Sequence, residues 1–302
     1  MILEKAVKEY LDYLQMKRFV PATIKNAQCR LGYLERQIGA NTNLSEITNK
    51  DLQKFLISPY PASLARGTYN HYIALLRGFF GYYHDTGQIL VNPAKPLEFV
   101  REEERIVEYF TLEELRAILH TDHKYRYGPV KEFVMRDRTL VHLGALCGLR
   151  SSEARLLRWQ QVNLEYGEIH VICGKNLKDR IVPMPKITWD LLKSEYKRKH
   201  PDKSDFILYG FKEKPMNHEI INSVIQRLCK DAGVDKRWPH FHMLRHTCAT
   251  LYLKGKPKKR GMDIRVLKEL LGHADISTTQ RYAHVDKAFL AEEMKRCLPR
   301  VI

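Results

Sequence analysis

The first ninety residues carry helical periodicity almost throughout, and two prolines then end the pattern. Apolar side chains recur at helical spacing, with capping and stop signals between them. Four helices are predicted there, over residues 3–16, 21–39, from Thr48 and Asp51 onward, and 64–85. Pro93 and Pro96 break the periodicity, and the charged run 101–105 that follows is typical of a connector. The chain therefore begins with a small all-helical domain.

The remainder of the chain combines helices with a short hairpin. Thr111 and Glu114 have the form of a capping box and predict a helix start. Segments 167–173 and 180–184 predict two strands joined by a lysine-containing loop. Further helices are predicted to end at Leu149 and to cover about 187–199, 217–233, 242–253, 264–271, 278–282 and 286–297. The fold class is therefore mainly α with a small β-sheet in the C-terminal domain.

These patterns divide the chain into a helical domain, a linker and a second domain. We place the helical domain at residues 1–92, the linker at 93–108 and the second domain at 109–302. A chain of 302 residues is long enough for two domains with cores of their own.

Charge and cysteine usage narrow the class of partner and the compartment. The chain has 51 Lys+Arg and 35 Asp+Glu, a net charge of +16, which favours a polyanionic partner and above all nucleic acid. Ribosomal, chromatin and membrane-surface proteins share this balance. The six cysteines form no Cys-x-x-Cys pair, which indicates a reducing compartment without a disulfide framework or zinc knuckle. The apolar stretch 140–149 is too short to span a bilayer, so we expect a cytoplasmic protein without a membrane partner.

Two arginines in distant segments suit the binding of one phosphodiester. Guanidinium groups meet phosphate oxygens in pairs of hydrogen bonds and stay protonated, so Arg150 and Arg245 together predict a phosphate clamp. Glu153 lies three residues after Arg150, which would put its carboxylate on the same helix face, where it would orient the site. The alternative for Arg150 and Glu153 is an ordinary surface pair at a helix start.

A tyrosine and two histidines supply the other groups that phosphoryl transfer needs. Tyr282 is a candidate nucleophile, while His242 and His273 are candidates for proton transfer. The structural alternatives are a half-buried aromatic for Tyr282 and a capping or packing role for His273. His242 and His246 are four residues apart, as metal ligands on a helix can be, but no glutamate follows His242 and we predict no metal site.

The leaving oxygen also needs an acid, and the hairpin loop offers one. A lysine at a hairpin tip could enter the minor groove and donate a proton, with Lys175 as the first candidate and Lys178 as its competitor. Solvated turn residues are the alternative for both.

Taken together, these motifs resemble the tyrosine recombinases, also called the phage integrase family, including the Xer-type recombinases. The resemblance covers nearly the whole chain. Its matching strings are Gly148-Leu149-Arg150-Ser151-Ser152-Glu153, Gly174-Lys175 with Arg180-Ile181-Val182-Pro183, His242-Met243-Leu244-Arg245-His246, Leu270-Leu271-Gly272-His273, and Ser277 to Val285. Two features depart from the family pattern: Asn176-Leu177 after the lysine, and a longer basic loop at 254–261.

The resemblance implies both an activity and a role for each site residue. Arg150 and Arg245 would bind the scissile phosphate, Lys175 would protonate the leaving oxygen, and His242 and His273 would assist. Tyr282 would attack, forming a 3′-phosphotyrosine link and releasing a 5′-hydroxyl without a metal or nucleotide cofactor. Residues 1–92 would be the family's helical (SAM-like) core-binding domain, and 109–302 its catalytic domain.

The resemblance also implies partners. The chain would act on double-stranded DNA with specific recombination sites, as a homotetramer on paired sites held through the C-terminal helix (286–297). The alternative for this helix is packing on its own domain. We expect further nucleic-acid contacts from basic residues of the hairpin and of the basic loop: Lys178, Arg180, Lys256, Lys258, Lys259 and Arg260. Two other hypotheses remain, a type IB topoisomerase-like nicking and closing enzyme, and a non-catalytic DNA-binding clamp.

Overall fold

A computed structural model describes most of the chain in two units. It describes residues 1–58, 61, 63–101, 108–121, 130–172, 179–255, 261–272 and 294–296. Contacts divide the chain into Met1–Arg105 and Ile106–Ile302, and the described part of each unit has its own hydrophobic core.

The first unit is helical, as the periodicity predicts. Its helices are α1 (Leu3–Met16), α2 (Pro21–Ile38), α3 (Asn49–Ile57) and α4 (Arg66–Asp85), with a short 3₁₀ turn at Leu44–Glu46. Thr48 and Asp51 form a reciprocal capping box that starts α3, and Pro21 occupies the first turn of α2. Helix α4 begins two residues later than predicted.

Aromatic side chains fill the core of this unit. Phe79 and Phe80 are fully buried, and the Tyr83 hydroxyl donates a 2.6 Å hydrogen bond to the carbonyl oxygen of Ala6. Residues 93–100, part of the predicted linker, pack on the same unit: Ala94 and Leu97 are buried in its core.

The second unit combines helices with a small sheet. In chain order, its α-helices and strands are α5 (Leu112–His120), α6 (Val130–Ala145), α7 (Ser151–Arg155), β1 (Val162–Asn163), β2 (Glu168–Val171), β3 (Arg180–Pro183), α8 (Lys186–Lys199), α9 (His218–Asp231), α10 (Phe241–Lys254) and α11 (Ile264–Leu271). The sheet has the order β1-β2-β3 and is antiparallel throughout, with Ile169 opposite both Val162 and Val182. The predicted mainly α fold with a small sheet is confirmed, and β1 is an addition to the predicted hairpin.

Helix α6 packs closely against α10. Gly144 allows the approach, because a Cβ atom built there would lie 2.8 Å from the Cβ of Leu244. Helix α6 ends at Ala145, four residues before the predicted end. The chain turns at Gly148, whose φ is +65°, and the amide of Leu149 reaches back to the carbonyl oxygen of Leu143.

The C-terminal part of the chain is described only in short pieces. The predicted helix 278–282 lies outside the described residues, and so does most of the predicted helix 286–297. Residues 294–296 are helical, and Met294 is buried in the core of the second unit. Within the described ranges, no helix has the length and apolar character that crossing a membrane requires.

Candidate active site

The described structure contains five of the residues singled out from the sequence: Arg150, Glu153, Arg180, His242 and Arg245. All five belong to the second unit. The others lie outside the described residues, namely Lys175, Lys178, Lys256, Lys258, Lys259, Arg260, His273 and Tyr282.

Arg150 caps the short helix α7 and is tied to Glu153. The Arg150 amide donates to Glu153 Oε2 at 2.7 Å, and its guanidinium donates to Glu153 Oε1 at 2.8 Å. A second guanidinium nitrogen donates to the carbonyl oxygen of Gly272. The side chain is 25% exposed, so part of it remains accessible while these bonds hold it in place.

Arg245 is buried within α10 and is held by main-chain groups. Its two terminal nitrogens donate to the carbonyl oxygens of Gly148 and Leu271, each at 2.6 Å. These bonds engage two of the five N–H donors of the guanidinium. Burial and the nearby charge of Arg150 lower the Arg245 pKa to about 10, which still leaves the group protonated at pH 7.

The last turn of α11 brings the two arginines together. Arg245 binds the carbonyl oxygen of Leu271 and Arg150 binds that of Gly272, the next residue. Gly272 has a left-handed φ of +64° and terminates the helix, and His273 follows it directly in the chain. The geometry therefore brings Arg150, Arg245 and the residue preceding His273 to one place.

Glu153 is the carboxylate of this cluster. Its side chain is 10% exposed, and burial acts to raise its pKa. Hydrogen bonds and positive charge from Arg180, and hydrogen bonds from Arg150, outweigh burial and lower the Glu153 pKa to about 2. The carboxylate is thus ionised at all ordinary pH values.

Arg180 is a buried member of this cluster. Its side chain is only 8% exposed and donates to Glu153 and to the carbonyl oxygen of Leu270. The predicted DNA contact of Arg180 stays a prediction, and in the structure its guanidinium binds Glu153 and the main chain of Leu270.

His242 lies one turn before Arg245 on α10 and is exposed. Burial of part of the ring, followed by the charges of His246, Arg245, His240 and Arg150, lowers the His242 pKa from its ordinary 6.5. The neutral imidazole therefore predominates at pH 7 and can exchange a proton. The rings of His242 and His246 lie 6.4 Å apart, and no group of three or more possible metal ligands occurs among the described residues.

Comparison with known proteins identifies the family. Residues 108–288 match the model of the phage integrase family, a segment that holds the six predicted catalytic residues. The chain belongs to the phage integrase family. Within this family, the chain is 27% identical over 99% of its length to the tyrosine recombinase XerC of Staphylococcus epidermidis, and covers 98% of that protein.

Two further comparisons concern a second Xer protein and a solved structure. The tyrosine recombinase XerD of Listeria monocytogenes is 28% identical over 97% of this chain and 98% of its own length. The XerH site-specific recombinase, solved with a palindromic DNA substrate in a post-cleavage complex, is 26% identical with a TM-score of 0.69. The match covers 90% of this chain and 78% of that one. These similarities support site-specific recombination by an enzyme of the phage integrase family.

Proposed function

We propose that this chain is a site-specific recombinase that cleaves and rejoins double-stranded DNA through a 3′-phosphotyrosine intermediate. The observation that carries the proposal is the convergence of two guanidiniums: Arg150 and Arg245 bind the consecutive carbonyl oxygens of Gly272 and Leu271. Family membership and the similarity to Xer recombinases support the interpretation that these two guanidiniums bind the phosphate that is cleaved.

The cluster has an excess of positive charge that suits a phosphodiester. Arg150, Arg180 and Arg245 carry three positive charges and Glu153 one negative charge, leaving a net charge of +2 (3 − 1). The pKa of Arg245 is lowered by burial and by Arg150, so an anion bound there would relieve an existing repulsion. Main-chain carbonyls and Glu153 hold Arg150 and Arg245 in place, so these two guanidiniums need little rearrangement as charge develops on phosphorus.

In the proposed cleavage step, Tyr282 is the nucleophile. Its phenolic hydroxyl passes its proton to the neutral ring of His242 as the oxygen forms a bond to phosphorus, while the bond from phosphorus to the 5′ oxygen breaks. The 5′ oxygen takes a proton from Lys175, with Lys178 as the alternative donor, and leaves as a hydroxyl. Rejoining reverses these bonds, so the energy of the phosphodiester is kept and the step needs no added cofactor.

The two histidines assist in this scheme. His242, with its lowered pKa, is suited to accept a proton as the neutral ring and return it. His273 directly follows Gly272, whose carbonyl oxygen binds Arg150, and is assigned to phosphate positioning.

The proposed partner is double-stranded DNA carrying specific recombination sites, in keeping with the net charge of +16. We propose residues 1–92 as the core-binding domain, 93–108 as linker and 109–302 as catalytic domain. Additional phosphate contacts are assigned to Lys178 and to Lys256, Lys258, Lys259 and Arg260. Assembly as a homotetramer on paired sites, through the C-terminal helix, completes the proposal.

The experiment uses two plasmids and one nucleophile variant. The protein is first incubated with a pool of nicked duplexes that tile the genomic DNA around the gene. The DNA that stays attached to the protein in SDS is then sequenced, which identifies the recombination site. Two direct copies of this site are then placed on one supercoiled plasmid and a single copy on another. Wild type should excise the segment between the two copies, and Tyr282→Phe should not.

The two plasmids separate the competing functions. Relaxation of the one-copy plasmid without excision from the two-copy plasmid would replace the proposal with a topoisomerase-like activity. Tight binding of the pool without any SDS-resistant adduct would replace it with a non-catalytic clamp.

A further inference from the structure

The Arg180 side chain joins three parts of the candidate active site. Arg180 opens β3, five residues after Lys175 in the sequence. Its two terminal nitrogens donate to Glu153 Oε1 and Oε2, each at 2.8 Å, and its Nε donates to the carbonyl oxygen of Leu270 at 3.0 Å. All three nitrogens of the guanidinium are thus engaged inside the protein.

Glu153 links Arg180 to Arg150. Oε1 of Glu153 accepts from the guanidinium of Arg150 as well as from that of Arg180. Oε2 accepts from the Arg150 amide as well as from Arg180. Each carboxylate oxygen therefore binds both arginines, so the direction of the Arg150 side chain depends on a carboxylate that Arg180 fixes.

The turn before His273 rests on the same guanidinium. Gly272 has a φ of +64°, and a Cβ atom built there would lie 2.9 Å from a terminal nitrogen of Arg180 and 3.0 Å from its Cδ. The backbone of the turn therefore packs directly against the Arg180 side chain. The carbonyl oxygen of this Gly272 also accepts from Arg150.

We propose that Arg180 is a positioning residue for DNA cleavage: through Glu153 and the last turn of α11, it fixes the direction of the Arg150 side chain. This inference rests on the proposed function. Arginine is required because a planar guanidinium can bind two carboxylate oxygens and a carbonyl at once, whereas a lysine ammonium is a single point of charge.

The test is a double-mutant cycle read as the rate of adduct formation on the nicked-duplex pool. Its variants are Arg180→Met, Arg180→Lys, Glu153→Gln and both double variants. The matched control is Arg198→Met, because Arg198 makes a similar two-bond contact with Glu195 on α8, at 3.0 and 2.8 Å.

We expect Arg180→Met to slow cleavage by about 10²-fold, because a displaced catalytic group costs roughly that much. DNA affinity should stay within about twofold, as for a residue that does not touch DNA. Arg198→Met should cleave at the wild-type rate. In the Glu153→Gln background, Arg180→Met should cause no further loss, because both changes remove the same constraint.

Three outcomes would overturn the inference: a wild-type rate for Arg180→Met, losses that multiply in the double variant, or a loss of DNA affinity that matches the loss of rate. If Arg180→Met does not fold, Arg180→Lys takes its place in the same cycle, because that variant retains the charge. The same three outcomes would then overturn the inference. Absence of an adduct with wild type would instead contradict the proposed function, so the two failures are distinguishable.

Discussion

The guanidinium of Arg245 donates a 2.6 Å hydrogen bond to the carbonyl oxygen of Gly148, 97 residues earlier in the chain. Gly148 lies two residues before Arg150, so this bond links the segments of both candidate phosphate-binding arginines. The second terminal nitrogen of Arg245 binds Leu271, which leads into the turn before His273. One buried side chain thereby connects three segments that are far apart in sequence.

Replacing Arg245 should affect cleavage and stability together. We expect Arg245→Lys to reduce the rate of adduct formation on the order of 10²-fold or more, because lysine loses the paired donors for a phosphate in its transition state. It should also lower the free energy of unfolding by about 1–3 kcal/mol, since a buried carbonyl loses its partner. Single-turnover cleavage and denaturant unfolding measure the two effects. A variant that cleaves at the wild-type rate would remove Arg245 from the site.

The turn at Gly148 should tolerate no side chain. A Cβ atom there would lie 2.6 Å from a Leu271 methyl and 3.1 Å from the sulfur of Cys248. Gly233 is the matched control: its φ of +67° is similar, but nothing lies within 4 Å of the added atom. Gly148→Ala should therefore lower the free energy of unfolding by about 1–3 kcal/mol more than Gly233→Ala, the usual cost of overpacking. Equal losses in denaturant unfolding would contradict the close contact with Leu271.

Glu153 should make stability fall at strongly acid pH. Burial raises its pKa, but Arg180 and Arg150 outweigh burial and lower it from 4.5 to about 2. The stabilisation is therefore complete above about pH 5 and is lost as pH falls toward 2, by about 3 kcal/mol at 1.36 kcal/mol per unit. Glu153→Gln should lack this part of the pH dependence. The prediction would be contradicted if the free energy of unfolding of wild type and of Glu153→Gln fell by the same amount between pH 5 and pH 2.

His142 should produce a separate loss of stability at milder pH. This buried histidine on α6 has a Nδ1 atom 3.1 Å from the Thr188 hydroxyl, and burial, with the charge of Arg138, lowers its pKa from 6.5 to about 4. Because the unfolded chain binds the proton more readily, stability should fall by about 3 kcal/mol between pH 7 and pH 4. Denaturant unfolding of wild type and His142→Asn across this range measures the effect. An unchanged pH dependence in the variant would rule out His142 as its source.

Local sequence signals predicted the helices best where a cap stands at each end. Helix α11 has its predicted bounds because the Asp263 side chain accepts from the Arg265 amide at the start and Gly272 turns left-handed at the end. The end of α6 was predicted four residues too late, since the apolar run 146–149 continues past the helix into the turn at Gly148. Strand β1 was missed because two residues carry no periodicity and are defined only by pairing with β2.

Long-range contacts within the site could not be predicted from local sequence signals. Arg150 and Glu153 are three residues apart on one turn, a spacing that local geometry can interpret. Arg180 binds Glu153 and Leu270, which are 27 and 90 residues away, and only the fold brings them together. Its position in a hairpin with two lysines favoured a DNA contact, whereas its contact with Glu153 could not be predicted from local spacing.

The most direct test of the account is to locate the covalent bond. Wild-type protein trapped on the nicked-duplex pool is digested with protease and nuclease, and the nucleotide-bearing peptide is sequenced by mass spectrometry. We predict a single modified residue, Tyr282, linked to a 3′-phosphate. A nucleotide on another side chain, or a 5′-phosphate linkage, would contradict the account.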